Sequence, residues 1–289
     1  MNNNFHKSIL INEVLEFLQV KAGSKYIDAT IGGGGHTSEI LAKGGRVLGI
    51  DWDFDAIEFL KNEFATEIGQ KRLILEKANF TEIKNLVEEH NFINCAGIIF
   101  DLGVSKHQLE TSARGLSFQI LGPLDMRMNK DLQVTAKDLL VVLSQKELTR
   151  LFSKFSEKKA YQIAAEIARI RKITPIETTL QLANLVRKIV KVGKLDPATK
   201  VFLAIRAAVN FELENLKEAL PRAFQVLAKS GRLLVISFHS AEDGIVKQFF
   251  RQTQNLAILT PKPIRPTDAE ILANPSARSA KLRVGEKIL

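Results

Sequence analysis

Tyr26-Ile27-Asp28-Ala29-Thr30-Ile31-Gly32-Gly33-Gly34-Gly35-His36 reads as a short strand that runs straight into a glycine loop and the start of a helix. Glycines in that place let the backbone approach a ligand, and the helix N-terminus offers it unpaired N–H groups. The alternation continues downstream. Arg46-Val47-Leu48-Gly49-Ile50-Asp51 is a second strand, followed by a helix through Ile57, Phe59 and Leu60. Leu73-Ile74-Leu75 is a third, with a helix from about Thr81 to His90, and Gly97-Ile98-Ile99-Phe100-Asp101 is a fourth. Strands separated by roughly ten to fifteen helical residues predict right-handed βαβ units and a parallel sheet, an α/β fold. Upstream, Ile9, Leu10, Val14, Leu15, Phe17 and Leu18 recur at helical spacing and predict a first amphipathic helix over residues 7–20.

The alternation breaks at about Gln108. From there to Lys194 the pattern is helical only, as in Tyr161, Ile163, Ala164, Ile167, Ala168 and Ile170. After Pro197 a long helix is expected to reach Leu227, and Gly231-Arg232-Leu233-Leu234-Val235-Ile236-Ser237 resumes the strand signal. The simplest organisation is one α/β domain, residues 1–107 and 196–289, interrupted by a helical domain at 108–195. A late extended run, Lys281-Leu282-Arg283-Val284, predicts a final edge strand. Charge follows the same division. The net charge is +9, and residues 125–206 hold 17 Lys+Arg against 8 Asp+Glu, which accounts for all of it. A neutral body with a basic block, including Arg187, Lys188, Lys191 and Lys194, suits a polyanion such as nucleic acid, or else a set of solvated helix faces.

Composition limits the alternatives. Of 289 residues, 45% are hydrophobic and 25% charged, as in a soluble globular protein. A single cysteine, Cys95, excludes a disulfide scaffold or a cysteine zinc cage. Glu13 and Glu16 interrupt the apolar residues near the start, so no secretory signal is read, and no run is long enough for a membrane helix. A cytoplasmic protein without a membrane partner is expected.

Asp51 ends the second strand, 16 residues after Gly35, where a carboxylate can accept hydrogen bonds from ribose hydroxyls. Nicotinamide enzymes and S-adenosylmethionine (SAM) enzymes share that arrangement. A dinucleotide fingerprint counted from Gly32 needs a small residue at position 37, which is Thr37, and Asp28 is an acidic opening suited to a SAM loop. Asp101 closes the fourth strand, on the rim where ligands of open α/β sheets bind, and Ser237-Phe238-His239-Ser240 reaches the same rim. A strand-end cap is the alternative reading of Asp101, and a structural histidine that of His239. His6, His90 and His107 lack partners at metal spacing, and no metal site is expected.

These stretches together resemble the ribosomal RNA small subunit methyltransferase H family, also called MraW. Asp28-Ala29-Thr30-Ile31-Gly32-Gly33-Gly34-Gly35-His36 is similar to its glycine loop, and Asp101-Leu102-Gly103-Val104-Ser105 with Gln108-Leu109 to its fourth-strand motif. Arg114-Gly115, Gly122-Pro123-Leu124-Asp125-Met126-Arg127-Met128, Ser237-Phe238-His239-Ser240 with Glu242-Asp243, and Asn274-Pro275 with Ala277-Arg278-Ser279 match as well. Lys106-His107 departs from the family's usual Ser-Pro, Lys200 from its Arg, Leu203 from its Gln and Ala241 from its Leu. The resemblance implies a Rossmann-like class I SAM-dependent methyltransferase sheet with an inserted helical domain. It implies SAM as cofactor, held by Gly34, Gly35, His36, Asp51, Phe80, Asp101 and Gln108. It also implies methyl transfer to N4 of a cytidine in the decoding region of 16S rRNA, in the small ribosomal subunit. His239 and Asp125 are the expected acid/base groups, and the basic insertion the expected rRNA grip. A non-catalytic rRNA-binding assembly protein is the alternative, and oligomeric state is open, a homodimer included.

Overall fold

The computed structural model describes residues 8–191, 193 and 196–289; Lys194 and His6 lie outside them. The chain divides into two compact units, one formed by the residues up to Ser105 and from Glu214 onward, the other by Lys106–Leu213. The first unit holds one seven-stranded sheet of β1 (Lys25–Asp28), β2 (Arg46–Asp51), β3 (Leu73–Lys77), β4 (Cys95–Asp101), β5 (Leu227–Ser237), β6 (Leu256–Ile258) and β7 (Lys281–Lys287). Its order is β3-β2-β1-β4-β5-β7-β6, with β7 antiparallel to both neighbours, the sheet of a class I SAM-dependent methyltransferase. β1 lies between β2 and β4, so the strand order reverses there and opens a crevice at the strands' carboxyl ends.

Alternation along the strands builds two cores. Ile98 and Phe100 of β4 and Leu233 and Val235 of β5 face Val87, Leu220, Val246 and Phe250 on one side. Ile99, Leu234 and Ile236 face Leu10, Ile40, Leu60 and Leu282 on the other. Both faces of a parallel sheet are thereby covered, which is why these strands read as unbroken apolar runs.

Three expectations change. The late run is not an edge strand: β7 pairs with β5 on one side and β6 on the other, and the edge is the three-residue β6, too short to give a sequence signal. The long helix after Pro197 is two, Ala198–Val209 and Glu212–Val226, broken at Phe211 with φ +53°. The buried pair Arg206–Glu212, 2.7 Å apart, spans the break. The second unit also runs past residue 195, because Ala198–Val209 packs on its helices Ala136–Val142, Gln145–Lys154 and Thr179–Ile189. Among the described residues no helix is long and apolar enough to cross a membrane.

The second unit is helical, with capping boxes at Thr135/Asp138, Ser144/Glu147 and Thr178/Gln181 starting three of its helices. Its irregular segment is pinned by backbone crossings. Gly115 has φ +64°, and a Cβ there would overlap the Pro123 carbonyl oxygen; one on Gly122 would overlap that of Ser112. Gly115→Ala is expected to destabilise the protein by about 2 kcal/mol or more in denaturant unfolding, through strain and overlap together. Gly69→Ala, with nothing within 4 Å of the added carbon, should stay within about 1 kcal/mol of wild type.

Candidate cofactor and catalytic site

Three acids end adjacent strands of the first unit: Asp51 on β2, Asp28 on β1 and Asp101 on β4. Asp28 is almost fully buried. Its Oδ2 accepts the Thr37 hydroxyl at 2.8 Å and its Oδ1 the Thr30 N–H at 3.4 Å. Burial raises its pKa above the ordinary carboxylate value, against the opposing pull of His36 and the Thr37 bond. Thr37 is the residue that stands where a dinucleotide fingerprint would place glycine. A glycine there would strip Asp28 of its hydroxyl partner, so the sequence departure has a structural cause.

Thr30 also holds the neighbouring strand, its Oγ1 accepting the Asp101 N–H at 2.6 Å. The Asp101 carboxylate is turned to His36, with Oδ2 3.6 Å from Nε2, beyond hydrogen-bond distance. Asp101 Oδ1 and both ring nitrogens of His36 are buried without a hydrogen-bond partner. Such atoms are costly unless something satisfies them, and they cluster where ligands bind.

The glycines serve a purpose beyond ligand approach. Gly34 is the N-cap of the helix Gly35–Ala42, with φ +78°, and a Cβ there would come within 2.8 Å of Leu60 and Phe64. A Cβ on Gly35 would collide with the Ser8 side chain. The loop is thus pressed against its own core and N-terminal segment, and the helix begins with no side-chain cap over its first N–H groups. Asp51 accepts the Gly32 N–H and the Asp53 N–H, each at 2.8 Å. Burial nevertheless pushes its pKa up to about 6. Asp53, which the sequence did not single out, is buried and caps the helix Phe54–Glu63. Phe80 sets its ring edge-on to the buried Phe100, 5.6 Å between centroids.

His239 lies at the end of β5 as the N-cap of the helix Ser240–Gln252. Its Nδ1 accepts the Glu242 N–H at 3.3 Å, and Nε2 lies 3.1 Å from Glu242 Oε1. Gln108 and Asp125 belong to the second unit. Gln108 is buried in the short helix Lys106–Glu110. Asp125 is gripped by Arg127, with Nε donating to Oδ1 at 2.7 Å and Nη2 to Oδ2 at 2.8 Å. Between them sits Met126, buried, with φ +65°, an unfavourable conformation for that residue. Asn210 and Arg114 hold it: Asn210 Nδ2 donates to Met126 O and its Oδ1 accepts the Met128 N–H, while Arg114 donates to Met128 O. The clustered motif Gly122–Met128 is therefore one tied knot rather than a string of contacts. Sequence reading flagged its residues but not the part played by Asn210.

The chain has relatives among known proteins. Residues 3–288 match the model of the MraW methylase family. A Ribosomal RNA small subunit methyltransferase H from Coprothermobacter proteolyticus is 42% identical over 98% of this chain and 96% of its own. One of the same name from Syntrophotalea carbinolica is 41% identical over 96% of each. Among solved structures, an rRNA methylase from Streptococcus thermophilus aligns over 98% of both chains at 12% identity and TM-score 0.47. With a full-length family match and relatives above 40% identity, the chain belongs to the MraW methylase family.

Proposed function

We propose that the protein transfers a methyl group from SAM to N4 of a cytidine in the decoding region of 16S rRNA, acting on the small ribosomal subunit in the cytoplasm. The observation that carries this reading is the buried cluster of Asp101 Oδ1 and the His36 nitrogens at the switch point, all without a hydrogen-bond partner, in a chain of this family. SAM fits it. Asp101 would accept from the ammonium group, and the uncapped helix N-terminus at Gly34, Gly35 and His36 suits the carboxylate. Asp51 would accept from the ribose hydroxyls and Phe80 would cover the adenine. Gln108 joins this set by its place in the motif that begins at Asp101. Bound SAM supplies a methyl group already activated on a sulfonium, so the protein's task is alignment and electrostatics.

The target base must leave its stack to reach the rim. Its N4 lone pair is conjugated with the ring, and a proton leaves as the methyl group arrives. His239 is the proposed acceptor: Nδ1 would take the proton by giving up its bond from the Glu242 N–H, and the Glu242 carboxylate beside Nε2 would stabilise the imidazolium formed. Asp125, with Arg127 bound to both oxygens, is the other candidate. Residues 106–213, with 19 Lys+Arg against 10 Asp+Glu, would grip the rRNA, while the rest of the chain balances at 22 of each.

Tritiated SAM and small subunits from cells lacking this activity should give label on N4 of one cytidine after nuclease mapping. Label on another nucleoside would reject the target; SAM binding without transfer would favour the non-catalytic assembly reading. His239→Asn keeps an N-cap side chain but has no titratable ring, so it should retain the melting temperature and lose about a hundredfold in single-turnover rate. An unchanged rate would leave the proton to Asp125.

Asp51 gives a pH signature. Its folded pKa of about 6 lies above the ordinary 3.8, so ionising it costs stability of the free protein, a loss that grows as pH rises from about 4 to 6. Ribose hydroxyls that donate to the carboxylate favour its ionised form. SAM affinity by calorimetry should therefore weaken as pH falls below about 6, approaching tenfold per unit, and level off above 7. Asp51→Asn should bind more weakly with a flatter profile, and a flat wild-type profile would remove Asp51 from the ribose site.

A further inference from the structure

The cations of the second unit fall into two populations. Many are consumed by the fold itself. Arg206 is paired with Glu212, Arg187 with Asp196 at 2.7 Å, and Lys200 donates to the Ser156 carbonyl. Arg171 donates to the carbonyls of Leu140 and Leu143, closing the end of the helix Ala136–Val142. Arg187, which the sequence offered as an rRNA contact, is thus a structural arginine, since Asp196 also caps the following helix through the Ala198 N–H.

The second population is exposed, and it includes Lys172, Lys188 and Lys191 as well as three cations on a single helix. In the helix Gln145–Lys154, Lys146, Arg150 and Lys154 are spaced four residues apart and all are exposed, while Leu148 and Phe152 point into the core. Three cations at that spacing form a ridge on the outer face, rising about 6 Å from one to the next. That step approximates the spacing of successive phosphates along one RNA strand. The turn that follows carries two more exposed cations, Lys158 and Lys159.

Both acids of this stretch are engaged elsewhere. Glu147 is locked in the capping box, accepting the Ser144 N–H and hydroxyl at 2.8 and 2.7 Å, and these bonds, with a smaller pull from Arg150, hold its pKa below the ordinary carboxylate value. Glu157 is buried and accepts the Lys159 N–H at 2.9 Å. Five exposed cations therefore stand over two acids that are tied to backbone. Immediately beyond, Tyr161 in the first turn of the helix Ala160–Ile170 leaves its side chain 64% exposed. An exposed aromatic ring two residues after a run of exposed cations is the composition of a surface that binds an RNA strand by phosphate attraction and base stacking.

We infer that Lys146, Arg150 and Lys154, continued by Lys158 and Lys159, form a track for the phosphates of an RNA strand, with Tyr161 as a stacking platform for one of its bases. The inference rests on the rRNA reading above for the identity of the strand. The triple variant Lys146→Gln/Arg150→Gln/Lys154→Gln tests it, set against Lys84→Gln/Lys229→Gln/Lys247→Gln, which removes the same charge from exposed positions of the other unit. Binding of full-length protein to a labelled 16S rRNA fragment would be titrated from 50 to 300 mM salt. The ridge variant should bind about tenfold or more weakly, with a log–log salt slope shallower by about 2 to 3 and unchanged SAM affinity. Tyr161→Ala should weaken binding severalfold without changing the slope, and Tyr161→Phe should restore it.

An unchanged slope in the ridge variant, or an equal loss in the control, would overturn the track. Equal binding by Tyr161→Ala and wild type would overturn the platform. These outcomes separate from those of the functional reading. Wild-type protein that methylates subunits while the ridge variant keeps its KM for them would sink the track alone. RNA binding that depends on the ridge in a protein that transfers no methyl group would sink the methylation reading alone.

Discussion

Two threonine side chains hold the centre of the molecule together. Thr37 donates to Asp28 and Thr30 accepts from the Asp101 backbone, so the ends of β1 and β4 and the helix after the glycine loop are fixed around two buried acids. Burying a carboxylate is expensive, and the raised pKa of Asp28 records that cost. The sheet offsets it elsewhere, with apolar cores on both faces and β4 and β5 buried along most of their length. What results is a crevice whose polar atoms are positioned before any ligand arrives. Asp101 Oδ1 and the His36 nitrogens lack hydrogen-bond partners there, and satisfying them takes a ligand that offers both donors and an acceptor.

The second unit solves a different problem. It carries the whole net charge of the chain and must still fold, so it spends arginines on internal bonds to acids and carbonyl ends. Arg127, Arg171, Arg187 and Arg206 each make forked or paired contacts of the kind a planar guanidinium favours. Most of the exposed, uncommitted cations are lysines, which suit a solvated, sequence-independent hold on phosphates. The strained Met126, buried among bonds from Asn210 and Arg114, shows the same unit fixing one loop at a cost in conformational energy.

Much of this was legible in the chain. β2 begins and ends where its apolar run does, at Arg46 and Asp51, because a strand buried on both faces has no polar interruptions. The placement of Asp28, Asp51 and Asp101 at strand ends followed from the same pattern. β6 was not legible, since three residues with one exposed side carry little signal, and β7 was misread as an edge because a strand's neighbours are not written in its own residues. The break at Phe211 was hidden for a similar reason: apolar periodicity continues across it, and only the Arg206–Glu212 pair marks the turn.

The sequence by itself determined the α/β alternation, the glycine loop, the acids that close the strands and the confinement of positive charge to the insertion. These are local or compositional properties, set by side-chain periodicity and residue type. The tertiary structure decided which glycines are forced by packing, that Thr37 replaces a fingerprint glycine to bind Asp28, and that Asn210 and Arg114 knot the segment around Met126. It also decided which cations the fold consumes and which it leaves on the surface. Each of those depends on partners distant in the chain, and a residue's partner is fixed only when the backbone has closed around it.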